Sequence, residues 1–360
     1  MTADAAPPVN DASRRHRPAP FVVLGALAIL LALTAILSAT IGAANIPLHR
    51  LWPAIGLGAA ENTAQVMRDQ LILNSIRLPR IACTVMVGAL LAMSGTLMQG
   101  LFRNPLADPA LVGVSSGGAL AAAAAIVAID RFAALQSVAG MDMLPIAAFL
   151  GSLATTFALY RIASRDGRTS VAMFLLAGLA IAALANAGIG LLVFLADDRQ
   201  LRDITFWLLG SLSGATWGKA AMIAPVLVGS VIALPFLARS LDLLVMGEAE
   251  AFHAGVSVER LKTAAIVLIS AMTGAAVAVC GIVGFIGIIV PHLLRLVIGP
   301  GHRLLLPASA LFGASLMLAA DTIARTLAAP AEVPVGILTA AVGAPFFLLL
   351  LLRQRAMVSL

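Results

Sequence analysis

Ionisable and nucleophilic side chains are scarce inside the apolar runs of this sequence, so each one invites a chemical reading. Asp321 precedes Arg325 by one helical turn, a spacing that suits a structural ion pair better than an ion site. His292 follows Pro291 within an apolar run, where a packing or capping histidine outweighs a proton relay. The other histidines, His16, His49, His253 and His302, are scattered at spacings that suggest no metal site. Cys83 and Cys280 lie in separate apolar runs, define no disulfide framework, and read as small buried residues. Neither a catalytic residue nor a metal site nor a resident cofactor is expected, and a membrane enzyme is the weakest functional class. A phosphate-binding loop would read G-x-x-x-x-G-K-[ST]. The one Gly-Lys pair, Gly218-Lys219, is followed by alanine and lacks the earlier glycine. Any ATP hydrolysis that drives this protein must therefore occur on another chain.

Composition identifies the elements that would position these residues. The 360 residues are 61% hydrophobic and 11% charged, with a mean hydropathy of +1.03. Water is not the main solvent for such a chain. Apolar runs of about 20 residues, the length that crosses a bilayer core, predict ten spans at 21–41, 81–101, 106–129, 143–162, 171–196, 219–238, 262–283, 284–298, 304–325 and 334–352. The expected architecture is an all-α integral membrane protein with one transmembrane domain, 21–352, a polar N-terminal tail, 1–20, and a C-terminal tail, 353–360. Arg14, Arg15 and Arg17 precede the first run, whose length exceeds the apolar core of a cleaved signal peptide. A retained first helix is expected.

Lys and Arg in alternating connections favour a cytoplasmic N-terminus, and an even number of spans then puts both termini inside. Arg77, Arg80 and Arg325 oppose that bias at the outer ends of spans. By composition alone they read as side chains snorkelling to lipid headgroups. The net charge of +6 is dispersed among spans and forms no basic stripe, so no nucleic-acid partner is implied.

Gly88-Ala89-Leu90-Leu91-Ala92-Met93-Ser94-Gly95 reappears as Gly274-Ala275-Ala276-Val277-Ala278-Val279-Cys280-Gly281. At the same offset Pro105 falls on Pro291 and Gly113 on Gly299. The two copies lie five spans apart, which predicts an inverted internal repeat with opposite membrane directions. Between the sixth and seventh spans, segment 239–261 predicts a short surface helix. Glu248 and Glu250 suit its N-terminus, Gly247 and Gly255 bracket it, and Leu243, Leu244, Met246 and Phe252 supply apolar knobs for a partner groove or a lipid surface.

From about residue 70 onward the chain resembles the FecCD-type permease subunits of binding-protein-dependent ABC importers for haem, ferric siderophores and cobalamin. The resemblance rests on Arg77-Leu78-Pro79-Arg80, Gln99 through Pro109, Gly113 through Gly117, Gly284 through His292, Ala320 through Arg325, and Glu332 through Gly336. It implies a type II importer in a bacterial inner membrane, in which a second copy of this chain encloses the substrate path. Two cytoplasmic ATPase subunits, holding ATP and Mg, power the cycle, and a periplasmic binding protein delivers the ligand. By the same resemblance Arg77, Arg80 and Arg325 stand at the positions that dock the binding protein. Met246, Gly247, Glu248, Phe252 and Gly255 belong to the ATPase coupling segment. Asn104, Pro105 and Leu106 form one cytoplasmic gate element, and Ser170, Val171 and Ala172 the nearest match to a second, where this sequence departs from the family pattern. The overall run is most similar to haem-uptake members, with a ferric siderophore or cobalamin as alternatives. The rival of a different class is a stand-alone secondary transporter, which would work without an ATPase.

Overall fold

Inside a bilayer each backbone N–H and C=O must be satisfied within the protein, which turns apolar runs into helices. The computed structural model describes residues 18–42, 44–55, 64–131, 143–165 and 168–358. Its helices are α1 (Pro20–Thr40), α2 (Leu48–Ala54), α3 (Ala64–Ile72), α4 (Leu78–Leu101), α5 (Val114–Arg131), α6 (Met143–Ala163) and α7 (Val171–Leu195). They continue with α8 (Asp198–Leu208), α9 (Trp217–Met246), α10 (Glu248–His253), α11 (Val258–Cys280), α12 (Ile286–Ile298), α13 (His302–Leu327) and α14 (Val335–Val358). Among the described residues, eight helices are long and apolar enough to cross a membrane, and α5 and α12 are shorter apolar helices. The protein is therefore a multi-pass membrane protein whose spans correspond in order to the ten expected. Arg14, Arg15 and Arg17 lie outside the described residues.

Several boundaries differ from expectation for local reasons. The third span begins at Val114 and not at 106, because Asn104–Leu106 turns, Pro109–Val112 forms a 3-10 turn, and Gly113 adopts φ +84°. The second span begins earlier than 81, since α3 runs through a π-helical turn, Leu73–Arg77, into α4. Helix α9 continues past Ala238 to Met246 because Leu241 and Leu244 remain buried, which shortens the connection before α11. Helix α14 likewise runs through 353 to Val358, where a tail was expected. The sequence pattern also missed α2, α3 and α8. Helix α8 is set by an Asp197 capping box, in which the carboxylate accepts from the Arg199 and Gln200 N–H groups.

Helix α4 forms the axis of the bundle and is largely buried, packed against α13, α11, α9 and α12. Small residues permit that approach. A Cβ on Gly88 would lie 2.4 Å from the Gly313 carbonyl oxygen, and one on Gly95 would lie 2.1 Å from that of Gly287. Thr96 donates to Ser309 across the α4–α13 contact at 2.8 Å.

These contacts also fix direction. Met98, near the end of α4, shares a small cavity with Ile266 and Ile269 in the middle of α11, whereas Cys83 near the start of α4 donates to Thr216 and Cys280 at the end of α11 accepts from Ser211, both on the connection between α8 and α9. Helices α4 and α11 thus run antiparallel, as the inverted repeat requires. The octet register is not shared, however. Gly95 lies within α4, whereas Gly281 ends α11 at φ +70°.

The bundle has two polar ends. The α8 end carries Arg77, Arg80 and Arg325, and there Ser211 donates to the Cys280 carbonyl at 2.8 Å. The α10 end carries the turn after α4, the α6–α7 hairpin and the start of α13. Ser38 bonds Arg325 at the α8 end, while Leu24 lies beside His302 and Arg303 at the other. Gly336, at the start of α14, donates to Gly210 at the α8 end. The first and last helices therefore both have their outer termini at the α10 end.

Candidate functional site

The three arginines expected at the outer face do gather at the α8 end, but all three are buried and none is the solvent-facing cation the sequence suggested. Arg77 sits in the π turn and donates to the carbonyls of Ala39 and Ala44, pinning the chain that leaves α1. Arg80, one turn further on, grips Asp321 of α13 in a bidentate pair at 2.9 Å through both Nε and Nη2. Its Nη1 reaches the Glu332 carboxylate at 2.9 Å. Arg325 turns to Ser38 of α1, whose hydroxyl lies at 2.8 Å. The expected Asp321–Arg325 pair within α13 gives way to bonds between helices, because the bidentate fork of Arg80 faces Asp321 across the α4–α13 contact. Of the carboxylates in this cluster, Asp321 is sealed, whereas the Glu332 side chain is 40% exposed. Glu332 falls within one of the family motifs, and no local signal in the sequence assigns it a partner.

At the α10 end, helix α10 lies between Gly247 (φ +145°) and Gly255 (φ +85°), with Glu248 and Glu250 in its first turn, as expected. Met246 and Phe252 point away from the bundle, 72% and 70% exposed. Lys262 holds the base of this helix, with Nζ 2.9 Å from Glu248 and 3.1 Å from Glu259. Charge counting had recorded Lys262 only as one more inner cation. Glu259 at i−3 and Glu248 at the helix start were the signal for its role.

The two gate candidates fall at this same end. Asn104 closes its turn by accepting from the Leu106 N–H at 2.9 Å, and Pro105 is exposed between them. Ser170 caps α7 by accepting from Met173 at 3.3 Å, and Ala172 is exposed in the first turn. Val171 is the first residue of α7. The elements approach through Phe102 and Phe174, whose ring centroids are 6.2 Å apart.

Between the ends, Asp108 joins two breaks in the helical order. Its carboxylate accepts from Ala110 at 2.9 Å and from the N–H of Phe285, the left-handed residue that starts α12. His292 packs edge-on to Phe346 at 5.9 Å, a packing role as expected. His302 meets Asp242 at 2.6 Å. Gln99 donates to Gly287 at 3.0 Å and accepts from Arg295. Among the described residues no group of His, Cys, Asp or Glu is arranged to hold a metal ion.

The arrangement is a small-residue bundle braced by charge at one end and presenting exposed apolar side chains at the other. The FecCD transport family model matches residues 30–353. The chain is 45% identical over 339 residues to the hemin transport system permease protein HmuU of Yersinia pestis, covering 94% of this chain and 98% of that protein. It is 46% identical over 308 residues to the cobalamin import system permease protein BtuC of Halobacterium salinarum, covering 83% and 79% respectively. Its identity to the iron(3+)-hydroxamate import system permease protein FhuG of Bacillus subtilis is 34% over 337 residues, covering 93% and 97%. A solved inward-facing structure of a metal-chelate type ABC transporter superimposes with a TM-score of 0.79 at 32% identity, covering 92% of this chain and 99% of that one. With the family model spanning nearly the whole bundle, from within α1 to within α14, this chain belongs to the FecCD transport family.

Proposed function

We propose that this chain is the permease subunit of an ABC importer that moves haem or another iron chelate from periplasm to cytoplasm by alternating access. The observation that carries this reading is the exposed apolar pair formed by Met246, the last residue of α9, and Phe252 on α10, a short helix braced to the bundle by Lys262, in a chain of the FecCD family. Apolar knobs on a braced helix suit a groove on an ATPase subunit, since hydrolysis has no site in this chain. The α10 end then faces the cytoplasm, with both termini, in a bacterial inner membrane. A second copy of the chain encloses the path, gated by Asn104–Leu106 and Ser170–Ala172. Haem is favoured over a siderophore because the chain is 45% identical to the hemin permease over 98% of that protein, against 34% to the hydroxamate permease at the similar coverage of 97%. A ferric siderophore is the next choice.

Docking of a periplasmic binding protein belongs at the α8 end. Arg77, Arg80 and Arg325 contribute there by exchanging partners, and Glu332 is the partner a docking carboxylate can displace, since it is the exposed member of the cluster. Met246→Glu with Phe252→Glu tests the central claim. Uptake in proteoliposomes should fall by about ten-fold or more while the chain still inserts and folds. Full ligand-driven uptake in that double variant would refute the coupling role of α10, and failure of the wild-type chain to co-purify with an ATPase would favour a stand-alone secondary transporter.

A further inference from the structure

We propose that Lys262 is the positioning residue through which movement of α10 reaches the gate turns, an inference that rests on the importer reading above. The Lys262 ammonium is buried, 4% exposed, and has three N–H donors. It meets three acceptors on three separate elements. These are Glu248, the first residue of α10, at 2.9 Å, Glu259 in the first turn of α11 at 3.1 Å, and the carbonyl of Thr169 on the α6–α7 hairpin at 3.2 Å. The other oxygen of Glu259 accepts the Thr169 N–H at 2.9 Å, so the Lys262–Glu259 pair holds both polar backbone groups of one hairpin residue.

That residue is adjacent to the gate. Ser170 follows it and caps α7. Phe174, buried in the first turn of α7, packs against Phe102, which immediately precedes Arg103, Asn104 and Pro105. A continuous line of bonded and packed groups thus runs from α10 through Lys262 to one gate turn and on to the other. A buried ammonium left short of acceptors is costly. When α10 shifts, Lys262 therefore keeps Glu248 and draws the Thr169 backbone with it.

The test uses the full transporter with its co-purified ATPase in proteoliposomes, assayed for ATP hydrolysis and for uptake of haem. Ala172→Cys is spin-labelled on each copy to report the gate distance with and without ATP. The native Cys83 and Cys280 are buried, so labelling is selective. Lys262→Met should keep ATP hydrolysis, lose the ATP-dependent change in distance, and reduce uptake per ATP by about ten-fold or more. Lys262→Arg, which restores donors, should recover most of both. A role confined to folding would lower yield or melting temperature without separating hydrolysis from uptake. Unchanged uptake per ATP with an intact distance change in Lys262→Met overturns the proposal. Should that variant fail to assemble, Glu248→Ala cuts Lys262 from α10 while leaving its bonds to Glu259 and Thr169, and coupled uptake with an intact distance change in it overturns the proposal equally. Absence of an ATPase from the wild-type preparation sinks the importer reading itself, an outcome distinguishable because that arm contains no variant.

Discussion

A guanidinium stays charged when withdrawn from water and is tolerated there only where fixed acceptors surround it, a condition Arg80 meets with two carboxylates from different segments. Arg80→Ala would leave Asp321 buried without its partner, and removing one member of a buried pair costs about 3–5 kcal/mol. Its melting temperature in detergent should fall well below wild type. Charge reversal at Arg80 is therefore a poor probe of docking, because it destroys the fold's own ion pair first. Glu332→Gln is the cleaner probe. It should cost about 1 kcal/mol or less in stability, as exposed pairs do, and should tighten binding of the periplasmic protein by freeing Nη1 of Arg80. Unchanged affinity on titration would remove Arg80 from the docking surface.

At the scale of elements, the helix contacts depend on absent side chains. Gly95→Ala places a Cβ 2.1 Å from a backbone oxygen on α12, which must shift to admit it. Overpacking of this kind costs about 1–3 kcal/mol. Gly190→Ala on α7, where nothing lies within 4 Å, should instead be neutral or stabilising by about 0.5–1 kcal/mol. Thermal unfolding of the two alanine variants side by side checks the contrast, and equal effects would mean that the α4–α12 approach is not tight. The octet repeat illustrates the same point. Its small residues mark a helix that packs closely, yet α4 continues past its glycine while α11 stops at the matching one, where Gly281 would bring a Cβ within 2.1 Å of the Trp207 carbonyl oxygen.

For the whole molecule, charge has an uneven distribution that the simple count of cations concealed. At the α8 end Arg80 is neutralised by Asp321 and Glu332, and Arg50 and Arg199 pair with Asp69 and Asp203 at 3.4 and 4.0 Å. The positive-inside rule counts Lys and Arg whether or not they are paired, and the proposed cytoplasmic α10 end rests on that count. Cysteines introduced at Phe252 and at Arg202 should label from opposite sides of the membrane, Phe252→Cys only in inside-out vesicles with an impermeant maleimide. Labelling of both from one side would reject the topology.

The sequence by itself determined the number and order of spans, because an apolar run of bilayer length has no other stable fold in lipid. It also determined α10, because Gly247 and Gly255 bracket a short stretch whose acidic first turn is a local signal. The family motifs located Arg77, Arg80 and Arg325, but not what they touch. Only tertiary structure paired Arg80 with Asp321, 241 residues away, and Lys262 with the hairpin at Thr169, 93 residues away. It also decided that α8 lies at the arginine end of the bundle and that α3 runs through a π-helical turn into α4. The physical reason is range. Helix formation and span length are set by neighbours within a few residues, whereas a buried charge is stable only where distant segments bring acceptors to it, and local sequence does not record which segments those are.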